Sequence, residues 1–134
     1  MKKDIINSVV GTPRSQELVR KTIPILVGWA KRRATNKTYG DLISALGYTR
    51  YSGIGSILGN VELVLRKLRK VKGYKDVPTL NAQVKSSKRD IPSHGFEFVY
   101  DNYGKLSDIE KKIFIAGINE SAYNYSKWDE VLHE

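Results

Sequence analysis

Few side chains in this sequence are equipped for chemistry. His94 and His133 are the two histidines, and there is no cysteine. Thiolate nucleophiles, thiolate metal sites and disulfides are excluded on that ground. No H-x-x-x-H, no Asp/Glu pair at metal-ligand spacing and no Walker or dinucleotide glycine pattern occurs. Ser93-His94-Gly95 sets a hydroxyl beside an imidazole, but adjacent residues in a turn seldom meet as nucleophile and base. Gly53-Ile54-Gly55 followed by Gly59 is a loose G-x-G-x-x-x-G that falls inside a helical pattern rather than after a strand, which reads as packing. The expectation is a protein with no catalytic residues, no metal and no cofactor.

Charge is the stronger indicator. The chain of 134 residues carries a formal net charge of +9, unevenly spread. Residues 1–90 hold 19 Lys and Arg against 6 Asp and Glu, whereas residues 91–134 hold 4 against 8. A basic front with a mildly acidic back is the footprint of a polyanion-binding surface. The length fits one domain with one core. No apolar run approaches the roughly 20 residues that cross a bilayer, so no membrane partner is expected. The opening MKKDIINSVVG lacks the apolar core of a signal peptide. Together with the lack of cysteine, that predicts a cytoplasmic protein.

The elements that must position these charges can be read in order. Residues 1–13, punctuated by Gly11 and Pro13, read as a basic arm. From Ser15, a candidate cap, Leu18, Thr22, Ile25, Leu26 and Trp29 follow helical spacing up to Lys31-Arg32-Arg33, and Pro24 is predicted to kink or split that helix. Thr38 and Asp41 form a capping box before Leu42, Ile43, Ala45 and Leu46, and Gly47 reads as a left-handed stop. A second helix, Ser52–Lys70, carries Ile54, Ile57, Leu58, Val61, Leu65 and Leu68 on one face and ends in a basic run, Arg66, Lys67, Arg69, Lys70, Lys72 and Lys75. Its glycines predict close approach to another backbone.

Beyond it, Leu80, Ala82 and Val84 alternate with Asn81, Gln83 and Lys85, the period of a half-buried strand. Phe96, Phe98 and Tyr100 suggest the returning strand across a basic turn holding Lys88 and Arg89. Ser107 and Glu110 make a second capping box, opening a helix that ends near Gly117 to Ser121. The fold class expected is α+β, mainly α: a winged helix-turn-helix with a short β-hairpin and C-terminal helices. Its 134 residues divide into the arm, a winged-helix core over 15–100 and a helical segment over 101–134.

Thr38-Tyr39-Gly40-Asp41-Leu42, Leu46-Gly47, Ile54-Gly55-Ser56-Ile57-Leu58 and Val77-Pro78-Thr79-Leu80-Asn81 together resemble the DNA-binding domain of alkylguanine-DNA alkyltransferases and alkyltransferase-like proteins over about residues 20–100. That family carries T-Y-G-E, a Leu-Gly turn, V-G-x-A-L and V-P-C-H-R at the corresponding places. Thr79, Leu80 and Asn81 stand where the family has its alkyl-accepting Cys and the following His and Arg, so alkyl transfer is not implied. The resemblance implies a winged-helix DNA binder in which Tyr39 would press on a phosphate. No arginine aligns with the family's intercalating one; Arg50 and Tyr51 are the nearest substitutes.

The function expected is non-enzymatic binding of double-stranded DNA, with the Ser52–Lys70 helix in a groove and the 85–89 hairpin on the backbone. Arg50, Tyr51 and Ser56 are the candidate base-edge contacts, Tyr39, Arg66, Lys67, Lys70, Lys85, Lys88 and Arg89 the candidate phosphate contacts, and Ser52 a further candidate for contact with the nucleic acid. Two alternatives remain: a protein-interaction module using the basic face on an acidic partner, and a sensor of modified bases.

Overall fold

The computed structural model describes residues 3–87, 91–92 and 102–133. Six α-helices follow in order: α1 Lys3–Val9, α2 Pro13–Lys31, α3 Tyr39–Ala45, α4 Ile54–Leu68, α5 Asp108–Asn124 and α6 Trp128–His133. Among the described residues between α4 and α5 are two short 3-10 turns, Asn81–Gln83 and Tyr103–Lys105. The segment read as an arm contains α1, whose Ile6 is buried and whose following Val10 is buried too. It packs on α4.

Local chemistry explains the helix ends. The cap of α2 is Thr12, whose hydroxyl accepts from the Ser15 N–H at 3.2 Å, and Pro13 takes the first helical position, where its missing N–H costs nothing. The helix then runs unbroken through Pro24, which sits on the exposed side. At α3 the capping box is complete: Thr38 Oγ1 accepts from Asp41 N and Asp41 accepts from Thr38 N at 2.9 Å. Gly47, at φ +91°, closes α3 with bonds from Gly47 N to Ser44 O and from Tyr48 N to Ile43 O, the double bond pattern of a left-handed helix stop. Ser107 and Glu110 cap α5 in the same reciprocal way, and α5 continues past Gly117 to Asn124.

The core forms where α2 and α4 pack together, with α1 laid on α4, and α3, α5 and α6 laid on α2. Leu18, Val19, Ile23, Leu26 and Val27 of α2 meet Ile57, Leu58, Val61, Val64 and Leu65 of α4 in one apolar cluster. Trp128 closes it from α6, donating its indole N–H to Ala122 O at 2.8 Å. A smaller cluster of Ala82, Tyr103 and Ile115 lies beneath α5.

The β-hairpin expectation is overturned. Among the described residues there is no strand, only an isolated parallel bridge between Thr38 and Lys85. Leu80 through Val84 are all buried, Asn81 at 6% and Gln83 at 1% exposure, and 81–83 form a 3-10 turn. A two-residue period would put Asn81 and Gln83 in water; instead each carboxamide finds a backbone carbonyl inside the core. Asn81 Nδ2 donates to Leu58 O of α4 at 2.6 Å, and Gln83 Nε2 donates to Leu26 O of α2 at 3.0 Å. Phe96, Phe98 and Tyr100 of the supposed return strand lie outside the described residues. The fold class is therefore helical, without a wing in the described chain.

A stability comparison separates the two arrangements. Asn81→Ala is expected to lower the unfolding free energy by about 1–3 kcal/mol, the usual cost of losing a buried hydrogen bond, while Ser87→Ala, at an exposed position, stays within about 0.5 kcal/mol. Equal, small losses in urea titrations of the two variants would contradict the buried turn.

Candidate nucleic-acid interface

Helix α4 was expected to lie on the surface as a groove reader, yet it is one of the two central helices, with eight of its residues buried. What it shows to solvent is a narrow strip: Ser56, then Asn60 and Leu63, half-exposed, then Arg66 and Lys67, with Lys70 just past the last turn. These positions recur three and four residues apart and so stand in line along one face. Gly59 is on the same strip with open space where a Cβ would stand, so it does not serve close packing. Arg50 and Ser52, both exposed, precede the strip at its N-terminal end.

The site residues expected from the sequence divide accordingly. Arg50, Ser52, Ser56, Lys67 and Lys70 share this surface. Tyr39 does not: it is buried, 9% exposed, within the core cluster, and its N–H bonds to Lys85 O at 3.1 Å. Tyr51 folds back over its own turn, its ring 5.2 Å from that of Tyr48 and close enough to Gly53 that a Cβ there would meet Tyr51 Cε1 at 2.8 Å. Lys85 is half-buried and fixed through its backbone to Lys37 and Tyr39. Lys88 and Arg89, the supposed wing tip, lie outside the described residues.

Arg66 is drawn to Glu62, its Nε 3.4 Å from the carboxylate. Glu62 itself is a feature the sequence reading passed over. It is 2% exposed on α4, and Arg69 closes on it at 2.8 Å. The same Arg69 donates from Nε to Val77 O at 2.7 Å and from its second terminal nitrogen to Thr79 Oγ1 at 3.2 Å. The Thr79 hydroxyl completes the ring, donating to Glu62 Oε1 at 3.0 Å. A carboxylate stands beside Thr79, but its lone pairs and the hydroxyl are committed to each other and to two guanidiniums. The arrangement ties the 77–79 segment to the end of α4. Glu62, Arg66 and Arg69, spaced by four and seven residues on one helical face, were the available clue.

The basic run beyond α4 is drawn into a compact knuckle. Gly73, at φ +92°, permits the turn in which Tyr74 N bonds to Val71 O, and Lys127 reaches across to donate to Gly73 O at 3.2 Å. Lys67, Lys70, Lys72 and Lys75 are exposed around it and make no ion pair with any described residue. Lys72, Lys75 and Lys127 were not among the expected contacts.

The acidic C-terminal region meets other cations. Lys31 binds Asp129 at 2.6 Å, and Arg33 binds Glu120 at 3.2 Å while donating to Asn124 and lying over the Tyr123 ring. Arg33 holds φ +52°, the left-handed position after α2 where glycine is usual, and these contacts are what its side chain gains there. Lys31 and Arg33, at the C-terminal end of α2, are thus paired, whereas the knuckle lysines after α4 are not ion-paired to any described residue.

No group of three His, Asp or Glu positioned for a metal occurs among the described residues, and no described helix is long and apolar enough to cross a membrane. No family model matches the chain, and neither does any curated protein or solved structure.

The pairing of Lys31 has a readout. The hydrogen bond from Lys31, with its charge, holds the Asp129 carboxyl below its ordinary range. A carboxyl depressed in the folded state stabilises above its unfolded value, and that contribution is lost as the pH falls through the folded midpoint. Carbon-13 NMR titration should place Asp129 below a free aspartate, and Lys31→Gln should raise it. A midpoint indifferent to Lys31→Gln would sink the pairing.

Proposed function

We propose that this chain is a non-enzymatic binder of double-stranded DNA that lays the exposed strip of α4 against the duplex and holds the phosphates with the knuckle at its C-terminal end. The observation that carries the reading is the separation of charges. Acidic residues of the C-terminal helices meet Lys31 and Arg33, whereas Lys67, Lys70, Lys72 and Lys75, exposed at the end of α4 and in the turn after it, outnumber the single acid there, Asp76, and make no ion pair with any described residue. Clustered unneutralised cations on a folded surface raise the local concentration of a polyanion and release its counterions on binding. Arg50, Ser52, Ser56 and Asn60 form the N-terminal part of the same surface, where short polar side chains reach base edges. The committed Thr79 hydroxyl favours binding over catalysis. The resemblance to alkyltransferase-like proteins supports DNA as the partner; a sensor of modified bases has less support, because Tyr39 is in the core.

Half-buried Leu63 at the centre of the strip is an apolar contact that an acidic protein partner would also use, and this is the competing reading. Titration of a labelled random duplex at several salt concentrations decides. Single changes of Lys67, Lys70, Lys72 or Lys75 to Gln should each lower the log–log salt slope by roughly 0.9. Lys31→Gln, removing a paired cation, should leave it unchanged. Absence of duplex binding at low salt would end the DNA reading. Capture of polyglutamate through the same lysines, without duplex binding, would establish the protein one.

A further inference from the structure

The outer face of α5 has no role in the DNA-binding reading. Ile109 and Ile113 are 73% and 70% exposed there, far more than the other large apolar side chains of the described residues. They lie four residues apart, so they stand one above the other on the helix surface. The line continues through exposed Ala116 and Gly117, and a Cβ at Gly117 would meet nothing within 4 Å. Two adjacent bulky residues followed, one turn on, by two very small ones make a row of knobs and then a hole.

We infer that this face is covered by a second copy of the chain, α5 packing antiparallel on α5 about a twofold axis at Ile113. Three observations favour a copy over another partner. First, the row is self-complementary. With Ile113 on the axis, Ile109 of each chain falls opposite Gly117 of the other, a large residue over an open glycine, in both halves at once. Second, the charges at the two ends are complementary. The N-terminal end of α5 carries Lys105 just before the helix and Asp108 and Glu110 in its first turn. The C-terminal end carries Glu120 and, bound to it, Arg33. Antiparallel pairing brings Lys105 level with the other copy's Glu120 and the acidic first turn toward the other copy's Arg33; parallel pairing would set like beside like. Third, the middle of the row is free of charge, and Lys112, the nearest cation, lies on its flank about a quarter turn away. Antiparallel alignment also opposes the two helix dipoles favourably.

The lack of cysteine gives a clean test in the full-length protein. Sedimentation should show a monomer–dimer equilibrium between roughly 1 and 500 µM, the span of a modest interface. Ile113→Asp should weaken it at least tenfold with the thermal melt of the monomer unchanged, since the side chain is exposed. Gly117→Leu should weaken it as well, although it adds helix propensity and has room in the monomer. Mixing Ile109→Cys with Gly117→Cys protein under mild oxidation should give a disulfide-linked heterodimer, which Ile109→Cys alone does not form. A monomer throughout the concentration range overturns the proposal, as does a dimer indifferent to Ile113→Asp. Cross-linking of Ile109→Cys to itself overturns the antiparallel arrangement. Because none of these measurements involves DNA, they stand or fall separately from the nucleic-acid reading.

Discussion

Three carboxamides hold this molecule to a single arrangement. The turn at residues 81–83 is buried between helices that are otherwise far apart in sequence, and a buried backbone turn leaves polar groups that must find partners. Asn81 reaches the Leu58 carbonyl of α4, Gln83 the Leu26 carbonyl of α2, and Asn119 donates from α5 to the Ala82 carbonyl at 3.0 Å. One short turn is thereby bonded to three helices. Apolar contacts alone would allow α4 to slide or rotate on α2 at small cost, because they have no direction. The carboxamide N–H bonds do have direction: Asn81 holds the turn to α4 while Gln83 and Asn119 hold it to α2 and α5, which opposes rotation of α4 about its axis. That rotation determines which of its side chains form the exposed strip. The Glu62–Arg69–Thr79 ring works at the far end of the same helix, fixing where α4 stops and the lysine knuckle begins.

The same economy of partners governs the charges. A formal +9 on a small domain is self-repelling, and the six acids of residues 1–90 cannot neutralise nineteen cations. The fold disposes of the excess unevenly. Acids on α5 and α6 cover the end of α2, Glu62 neutralises Arg69 and attracts Arg66, and Asp76 is the acid closest in the chain to the turn around Gly73, where none of the lysines is ion-paired to a described residue. Exposed ion pairs such as Lys31–Asp129 contribute little to stability, so their larger effect here is on the shape of the field. They remove positive potential from the end of α2 and leave it at the turn around Gly73.

Much of the helical frame was legible, because caps are local chemistry. Thr38 with Asp41, Ser107 with Glu110, and Gly47 each state a helix boundary within four or five residues, and the structure has those boundaries. The apolar spacing in α2 and α4 was equally plain. What failed was the inference from alternation at 80–85, and the reason is specific. Period two identifies a strand only if the intervening polar residues face water, and Asn81 and Gln83 are polar residues whose hydrogen bonds lie inside the molecule. Burial of a polar side chain depends on where a distant carbonyl ends up, which no short window contains. Arg33 escaped for the same reason, as did the bond between Thr79 and Glu62: only tertiary packing brings Glu120 and Asn124 to Arg33 and Thr79 to Glu62, although the helical spacing of Glu62, Arg66 and Arg69 was there to be read.

The placement of α4 bears on how discriminating its surface can be. A groove-reading helix that rides on the outside of a domain offers a broad face, whereas α4 is gripped by α1, α2 and the 81–83 turn and leaves a strip about one side chain wide. If the surface binds DNA as proposed, few residues on such a strip would touch base edges, and most of the interaction energy would come from the knuckle, whose lysines would meet phosphate and read no sequence. Arg50 and Ser52 in the turn before α4 then matter more than the helix itself, since they alone broaden the surface at its N-terminal end. Weakly selective, salt-steep binding is the behaviour that such a surface favours. A twofold pairing through α5 would duplicate the surface, and two strips held at a fixed spacing select among sites more strongly than one strip does alone.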